Sequence, residues 1–114
     1  MYCFTKTRRL LKKSEYDFVF NQAKKMVTSE FIFLYRGNAV GHARLGLALS
    51  KKHIAKAHDR NRLKRILRET FRTRQLPAID VIVLARHGIA SMEKSIVISK
   101  LDKAWDRLMA LCKK

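Results

Sequence analysis

The sequence predicts an α/β (α+β) two-layer sandwich: helices packed on a small mixed sheet, in one domain over residues 1–114. Three observations lead there. Apolar residues recur at helical spacing in three separated segments. Two segments between the first and second of these carry the aromatic content or the alternation of strands. A third, Ile79–Ala85, is almost continuously β-branched and apolar, as a strand covered on both faces should be. A chain of 114 residues suffices for one compact domain and is short for two. Its hydrophobic fraction of 47% exceeds what a disordered basic tail carries. With one proline, four glycines and no internal repeat, no linker is visible.

The elements follow in order. Ser14-Glu15-Tyr16-Asp17 reads as a helix start, with Ser14 as N-cap and acids in the first turn, and Tyr16, Val19 and Phe20 continue it to about Gln22. Lys24 and Lys25 lead into the β-rich run Phe31–Tyr35, closed by Gly37-Asn38. A second strand, Ala43–Leu49, places Leu45, Leu47 and Leu49 on one face and Arg44, Gly46 and Ala48 on the other. From about Ala57 to Arg74 a helix carries Leu63, Ile66, Leu67 and Phe71 as its apolar stripe, with Pro77 beyond it. Ile79–Ala85 is the next strand. The last helix, about Lys94 to Cys112, sets Val97, Leu101, Ala104, Trp105 and Leu108 on one side, with Trp105 in the core.

Charge points to the partner. Twenty-six Lys and Arg face nine Asp and Glu, a formal +17 with a pI near 10.6. Like charge at that density repels itself, and nucleic acid relieves it, because each phosphate neutralised releases condensed counterions. No apolar run reaches the roughly 20 residues of a membrane span. The N-terminal MYCFTKTRRLL lacks the apolar core of a signal peptide, so a cytoplasmic protein is expected, without a membrane partner. Cys3 and Cys112 stand far apart in sequence with no metal-ligand spacing, and reduced thiols are expected.

The basic helix concentrates this charge. At about 100° per residue, Arg60, Lys64, Arg68 and Arg72 climb one flank of the apolar stripe, with Asn61 and Arg65 beside them. Arg62 and Glu69 lie on the opposite flank. Planar guanidinium groups grip phosphate bidentately, and the Asn61 amide suits a base or ribose. A merely solvated face would interleave Glu with Lys to gain ion pairs. No catalytic constellation appears: His42, His53, His58 and His87 are scattered, and the acids lack convergent spacing. His58-Asp59 is not read as a dyad, because sequence neighbours on a helix do not face each other.

Several of these segments together resemble the bacterial ribonuclease P protein family. Arg60-Asn61-Arg62 opens the basic helix, and Ser50-Lys51-Lys52 ends the strand before it. Arg44-Leu45-Gly46-Leu47, Arg9-Leu10-Leu11-Lys12, Phe18-Val19-Phe20 and Val81–Ala85 with Arg86 match further segments over nearly the whole chain. The resemblance implies the order αβββαβα on a four-stranded mixed sheet (ribosomal protein S5 domain 2-like), with a left-handed βαβ crossover through the basic helix. It implies a subunit of the endonuclease that removes the 5′ leader of precursor tRNA. The catalytic site and its Mg²⁺ then belong to a catalytic RNA, and the protein broadens substrate range, with no catalytic residue, metal site or obligate protein partner of its own. Lys52, Arg60, Asn61, Arg62, Lys64, Arg65, Arg68 and Arg72 carry over as RNA contacts. Tyr16, Phe20, Phe33, Tyr35 and Ala48 carry over as a cleft for the leader. The residues alone leave that cleft open, since alternating Phe31, Phe33 and Tyr35 suit either a stacking platform or a core beneath a helix. Two rivals remain at this level: a scaffold for structured RNA that is indifferent to the leader, and a self-sufficient basic nuclease.

Overall fold

Apolar segments too short to bury themselves must stack in layers, and here they form two helices, a sheet and a third helix. A computed structural model of the chain describes residues 13–38, 42–49, 54, 56–74, 76–86, 89 and 92–112. Its elements are α1 (Lys13–Gln22), β1 (Lys24–Val27), β2 (Phe31–Gly37), β3 (Arg44–Ala48), α2 (Ala57–Arg72), β4 (Ile79–Ala85) and α3 (Lys94–Cys112). The strands order as β1-β2-β4-β3, with β1–β2 and β2–β4 antiparallel and β3–β4 parallel. The parallel pair is joined through α2, as parallel neighbours require a crossover.

The continuous apolar run of β4 is explained by its inner position, with every residue buried except half-buried Leu84. Asp80 is the polar exception and is fully buried. Register divides the sheet into two faces. Phe33 lies opposite Val83 and Met26, Tyr35 opposite Val81, and Leu45 and Leu47 opposite Val81 and Val83. This face packs against α2 and α3 in the main core. Trp105 sits at its centre, edge-on to Phe33 at 5.1 Å and tilted on Phe71 at 5.6 Å. The Trp105 indole N–H donates to Thr70 Oγ1 at 2.9 Å, which satisfies a polar group that burial would otherwise penalise.

The opposite face carries Ile32, Leu34, Ile82, Leu84 and Ala48, and among the described elements the ten-residue α1 covers it. Val19 and Ile82 are fully buried there, while Tyr16, Ala23, Leu34, Ala48 and Leu84 stay half-buried. The described part of this face is thus less completely sealed than the first.

Several elements differ from the sequence reading: β2 runs on to Gly37, and β3 spans Arg44–Ala48 rather than Ala43–Leu49. Ser14 lies inside α1, which begins at Lys13, so it is not the N-cap; the cap position falls outside the described residues. The strand β1 was not legible in the residues themselves, because Lys24, Lys25 and Val27 are exposed on a sheet edge and only Met26 is buried. The helix α2 stops at Arg72 rather than Arg74. The Arg74 N–H closes a tight turn onto Phe71 O at 3.0 Å, and Thr73 Oγ1 donates to Thr70 O at 2.9 Å.

Candidate nucleic-acid interface

The apolar stripe of α2 (Leu63, Ile66, Leu67, Phe71, with Thr70) is buried against the sheet and α3. That seating fixes the orientation of every other side chain on the helix. Asn61, Arg65 and Arg72 are exposed, and Lys64 and Arg68 are half-buried beside them. Asp59 in the first turn suits the positive helix N-terminus. The two arginines flanking Asn61 have local anchors. Arg60 Nη1 donates to Ile54 O at 2.9 Å, bracing the segment that enters the helix. Arg62 Nη2 donates to Met92 O at 2.7 Å, just ahead of α3. Both of these acceptors are backbone carbonyls, which set the position of each guanidinium. Lys52 lies outside the described residues, as do Cys3 and Ser50-Lys51.

The acids are distributed in a way that leaves this edge positive. Arg44 takes two of them: Nε and Nη2 grip Asp80 Oδ1 and Oδ2 at 2.8 and 2.7 Å, and Nη1 reaches Glu15 Oε2 at 2.7 Å. Asn38 Nδ2 also donates to Asp80 Oδ1, at 2.8 Å. The hydrogen bonds to Asp80 come first among the causes that hold the Arg44 guanidinium above even its usual high pKa. Arg74 takes two more, Asp106 at 2.6 Å and Asp102 at 2.9 Å, so it is a clasp between the end of α2 and α3 rather than part of the basic edge. Glu30 pairs with Lys100 at 3.2 Å. Two arginines thus absorb four carboxylates.

The cleft residues separate. Tyr16, Ala48 and Phe20 belong to the α1 side of the sheet. The Tyr16 hydroxyl accepts the Leu47 N–H at 3.3 Å, which pins the first turns of α1 to the edge strand β3. Phe20, one helical turn further along, is half-exposed at 50%. Phe33 and Tyr35 do not join them. Phe33 is fully buried and Tyr35 nearly so, both on the opposite face beneath α3 and α2. The reason is register: odd-numbered β2 residues align with Val81 and Val83, whereas Ala48 aligns with Leu84 and, through it, Ile32. The cleft therefore cannot hold Phe33, Tyr35 and Ala48 together, and Ile32, Leu34 and Leu84 take the aromatic pair's place. Burial also pushes the Tyr35 hydroxyl pKa up. Phe31, left open above, is core.

A further pair escaped sequence reasoning. The Arg36 guanidinium stacks 3.6 Å from the centroid of the Phe18 ring, and its Nη1 donates to Phe18 O at 2.6 Å. This cation–π contact fastens α1 to β2 on the flank away from Phe20. Phe18 and Arg36 are distant in sequence, and only the parity of β2 would have placed Arg36 on the α1 side. His58 Nε2 also meets Asp59 Oδ1, at 3.2 Å, so adjacency on a helix did not keep them apart; the imidazole is largely exposed at 77%. Among the described residues no helix is long and apolar enough to cross a membrane.

Comparison with known proteins gives this geometry a family. Residues 4–109 match the family model described as Ribonuclease P. The ribonuclease P protein component of Legionella pneumophila (strain Corby) is 59% identical over 108 residues, covering 95% of each chain. Among solved structures, the Staphylococcus aureus RNase P protein superposes with a TM-score of 0.82 at 26% identity, covering 89% of this chain and 94% of that one. The Thermotoga maritima RNase P protein gives 0.76 at 28% identity, covering 87% and 96%. The four-stranded mixed sheet, its three helices and these matches agree, and the chain belongs to the ribonuclease P protein family, the protein subunits of a tRNA-processing ribonucleoprotein.

Proposed function

We propose that this single RNA-binding domain serves its ribonucleoprotein through two surfaces, while the cleaving site and its Mg²⁺ belong to the RNA. The observation that carries the reading is the segregation of charge and aromatic surface. The α2 edge presents Asn61, Arg65 and Arg72, with Lys64 and Arg68 beside them, and it suits the phosphates of the catalytic RNA. Across the sheet, Phe20, Tyr16 and Ala48 rim a shallow apolar face with Leu34 and Leu84. That chemistry suits unpaired bases, which stack on aromatic rings without demanding a sequence, and so fits the single-stranded 5′ leader of precursor tRNA.

The protein's own acids fit a supporting part. Asp80, Glu15, Asp102 and Asp106 are held by Arg44 and Arg74, and among the described residues no group of acids, His and Cys is placed to hold a metal ion. On this reading the chain contributes RNA contacts and leader capture in the cytoplasm.

The test compares precursor with mature tRNA binding to the reconstituted holoenzyme. Phe20→Ala should weaken precursor binding about 5-fold or more, the lower end of one base–aromatic stack, and leave mature tRNA unchanged. Arg65→Gln with Arg68→Gln should instead weaken assembly with the RNA. Equal loss for both tRNAs with Phe20→Ala contradicts the leader assignment.

A further inference from the structure

The helix α3 carries a second segregation of charge. At about 100° per residue, its buried stripe of Val97, Leu101, Ala104, Trp105 and Leu108 has Asp102 and Asp106 on one side and Lys100, Lys103 and Arg107 on the other. The acid side is closed by the Arg74 clasp at the end of α2. The basic side faces the β1–β2 turn, where Thr28, Glu30, Lys100, Lys103, Ala104 and Arg107 line an open cavity of about 230 Å³. Glu30, 8% exposed, is neutralised by Lys100 at 3.2 Å. Lys103 and Arg107 are exposed, and no carboxylate among the described residues pairs with either. All nine acids of the chain lie within the described residues. Arg86 adds a third charge beside the turn: its Nη1 is spent on the neutral Thr28 O at 3.0 Å, and its backbone N–H bonds Glu30 O at 2.9 Å.

We infer that this α3 notch is a second RNA-backbone site, taking phosphates of the catalytic RNA, with Lys103 and Arg107 as its principal contacts. The inference rests on the reading that α2 binds the same RNA. Three observations favour RNA phosphate as the occupant. The charges surround a concave space rather than a flat helix face. The one acid in it already has its own cation. Arg107 has no acid three or four residues away on the helix, and the one acid so placed for Lys103, Asp106, is held by Arg74. The catalytic RNA is preferred over the leader because the notch lies with α3, across the sheet from Phe20 and Ala48.

Placement adds a geometric consequence. On α2, Arg62 is the residue that reaches toward the start of α3, and Lys64 and Arg68 stand about 160° and about 120° round the helix from it, so the flank they mark looks away from α3. On α3, the acids look toward the end of α2, so Lys103 and Arg107 look away from α2. The two basic edges thus border the helical layer on opposite sides, and the protein is held between two segments of RNA rather than laid on one.

The experiment measures binding of the full chain to ribonuclease P RNA across a salt series, for the parent, Lys103→Gln/Arg107→Gln, Arg65→Gln/Arg68→Gln, and all four together. The α3 pair is exposed, and an unchanged melting temperature checks that it folds. Losing two phosphate contacts should lower the slope of log K against log salt by about 1.5, and the losses in the four-fold variant should add, as distant sites do. An unchanged slope for Lys103→Gln/Arg107→Gln overturns the inference. An unchanged slope for the Arg65/Arg68 pair alone overturns the α2 reading instead. If the α3 pair weakens binding of mature tRNA to the holoenzyme but leaves the slope for the catalytic RNA intact, the occupant is the tRNA body and the inference is wrong.

Discussion

Replacing Arg44 with Met should be among the most damaging single changes outside the apolar core. Asp80 is fully buried and accepts three hydrogen bonds, two from Arg44 at 2.8 and 2.7 Å and one from Asn38 at 2.8 Å. Met preserves much of the volume of Arg44 but strands the carboxylate with Asn38 alone. Breaking a buried pair in this way costs about 3–5 kcal/mol, far more than the pair's net worth, because a charge is left without compensation. For a domain of this size, about 4 °C of melting temperature accompanies each kcal/mol. The variant should therefore melt about 12–20 °C below the parent in a thermal scan followed by far-ultraviolet circular dichroism. Glu15→Gln removes only the outer arm of the network, the 2.7 Å contact to Arg44 Nη1, and should cost about 1 kcal/mol or less. Adding Asp80→Asn to Arg44→Met removes the stranded charge, so the double variant should be more stable than Arg44→Met alone. A melting temperature for Arg44→Met within about 3 °C of the parent would refute this reasoning. So would a double variant less stable than the single one.

Further expectations test other parts of the account. Phe33→Ala should cost about 3–5 kcal/mol by opening a hole against Trp105, and where the variant stays folded it should lower binding of precursor and mature tRNA alike; selective loss for the precursor would return Phe33 to the cleft. Burial works to raise the Glu30 carboxyl pKa, but hydrogen bonds from Ser29 and Lys100 and the Lys100 charge outweigh it and hold the group below the usual glutamate range. A depressed carboxylate stabilises the fold above its unfolded-state pKa and loses that contribution as pH falls through the folded one. Stability measured by urea titration at stepped pH should therefore drop on the acid side, and Glu30→Gln should shallow that drop; an unchanged acid limb would rule out the Glu30–Lys100 contribution.

The parts of the molecule legible in the sequence are those governed by a single period. The α2 stripe and its basic flank follow from 3.6 residues per turn, and the bounds of α3 and β4 from where their apolar runs end. What was missed depends on contacts between distant segments. Phe31, Ile32, Phe33, Leu34 and Tyr35 are apolar at every position, so alternation alone cannot tell which face of β2 meets two helices and which meets one. Register with β4 decides it, and places Phe33 under Trp105. Arg74 continues the basic pattern of its neighbours, but Asp102 and Asp106 arrive from α3 to claim it. The edge strand β1 buries only Met26 and leaves too weak a pattern to see. Phe18 meets Arg36 only because α1 crosses β2.

Cleavage of precursor tRNA at low Mg²⁺, by the protein alone, by ribonuclease P RNA alone and by the two together, tests the central claim most directly. The account predicts no cleavage by the protein alone, little by the RNA alone under those conditions, and accurate removal of the 5′ leader by the pair. Cleavage by the purified chain without any RNA partner, or a pair no more active than the RNA alone, would contradict it.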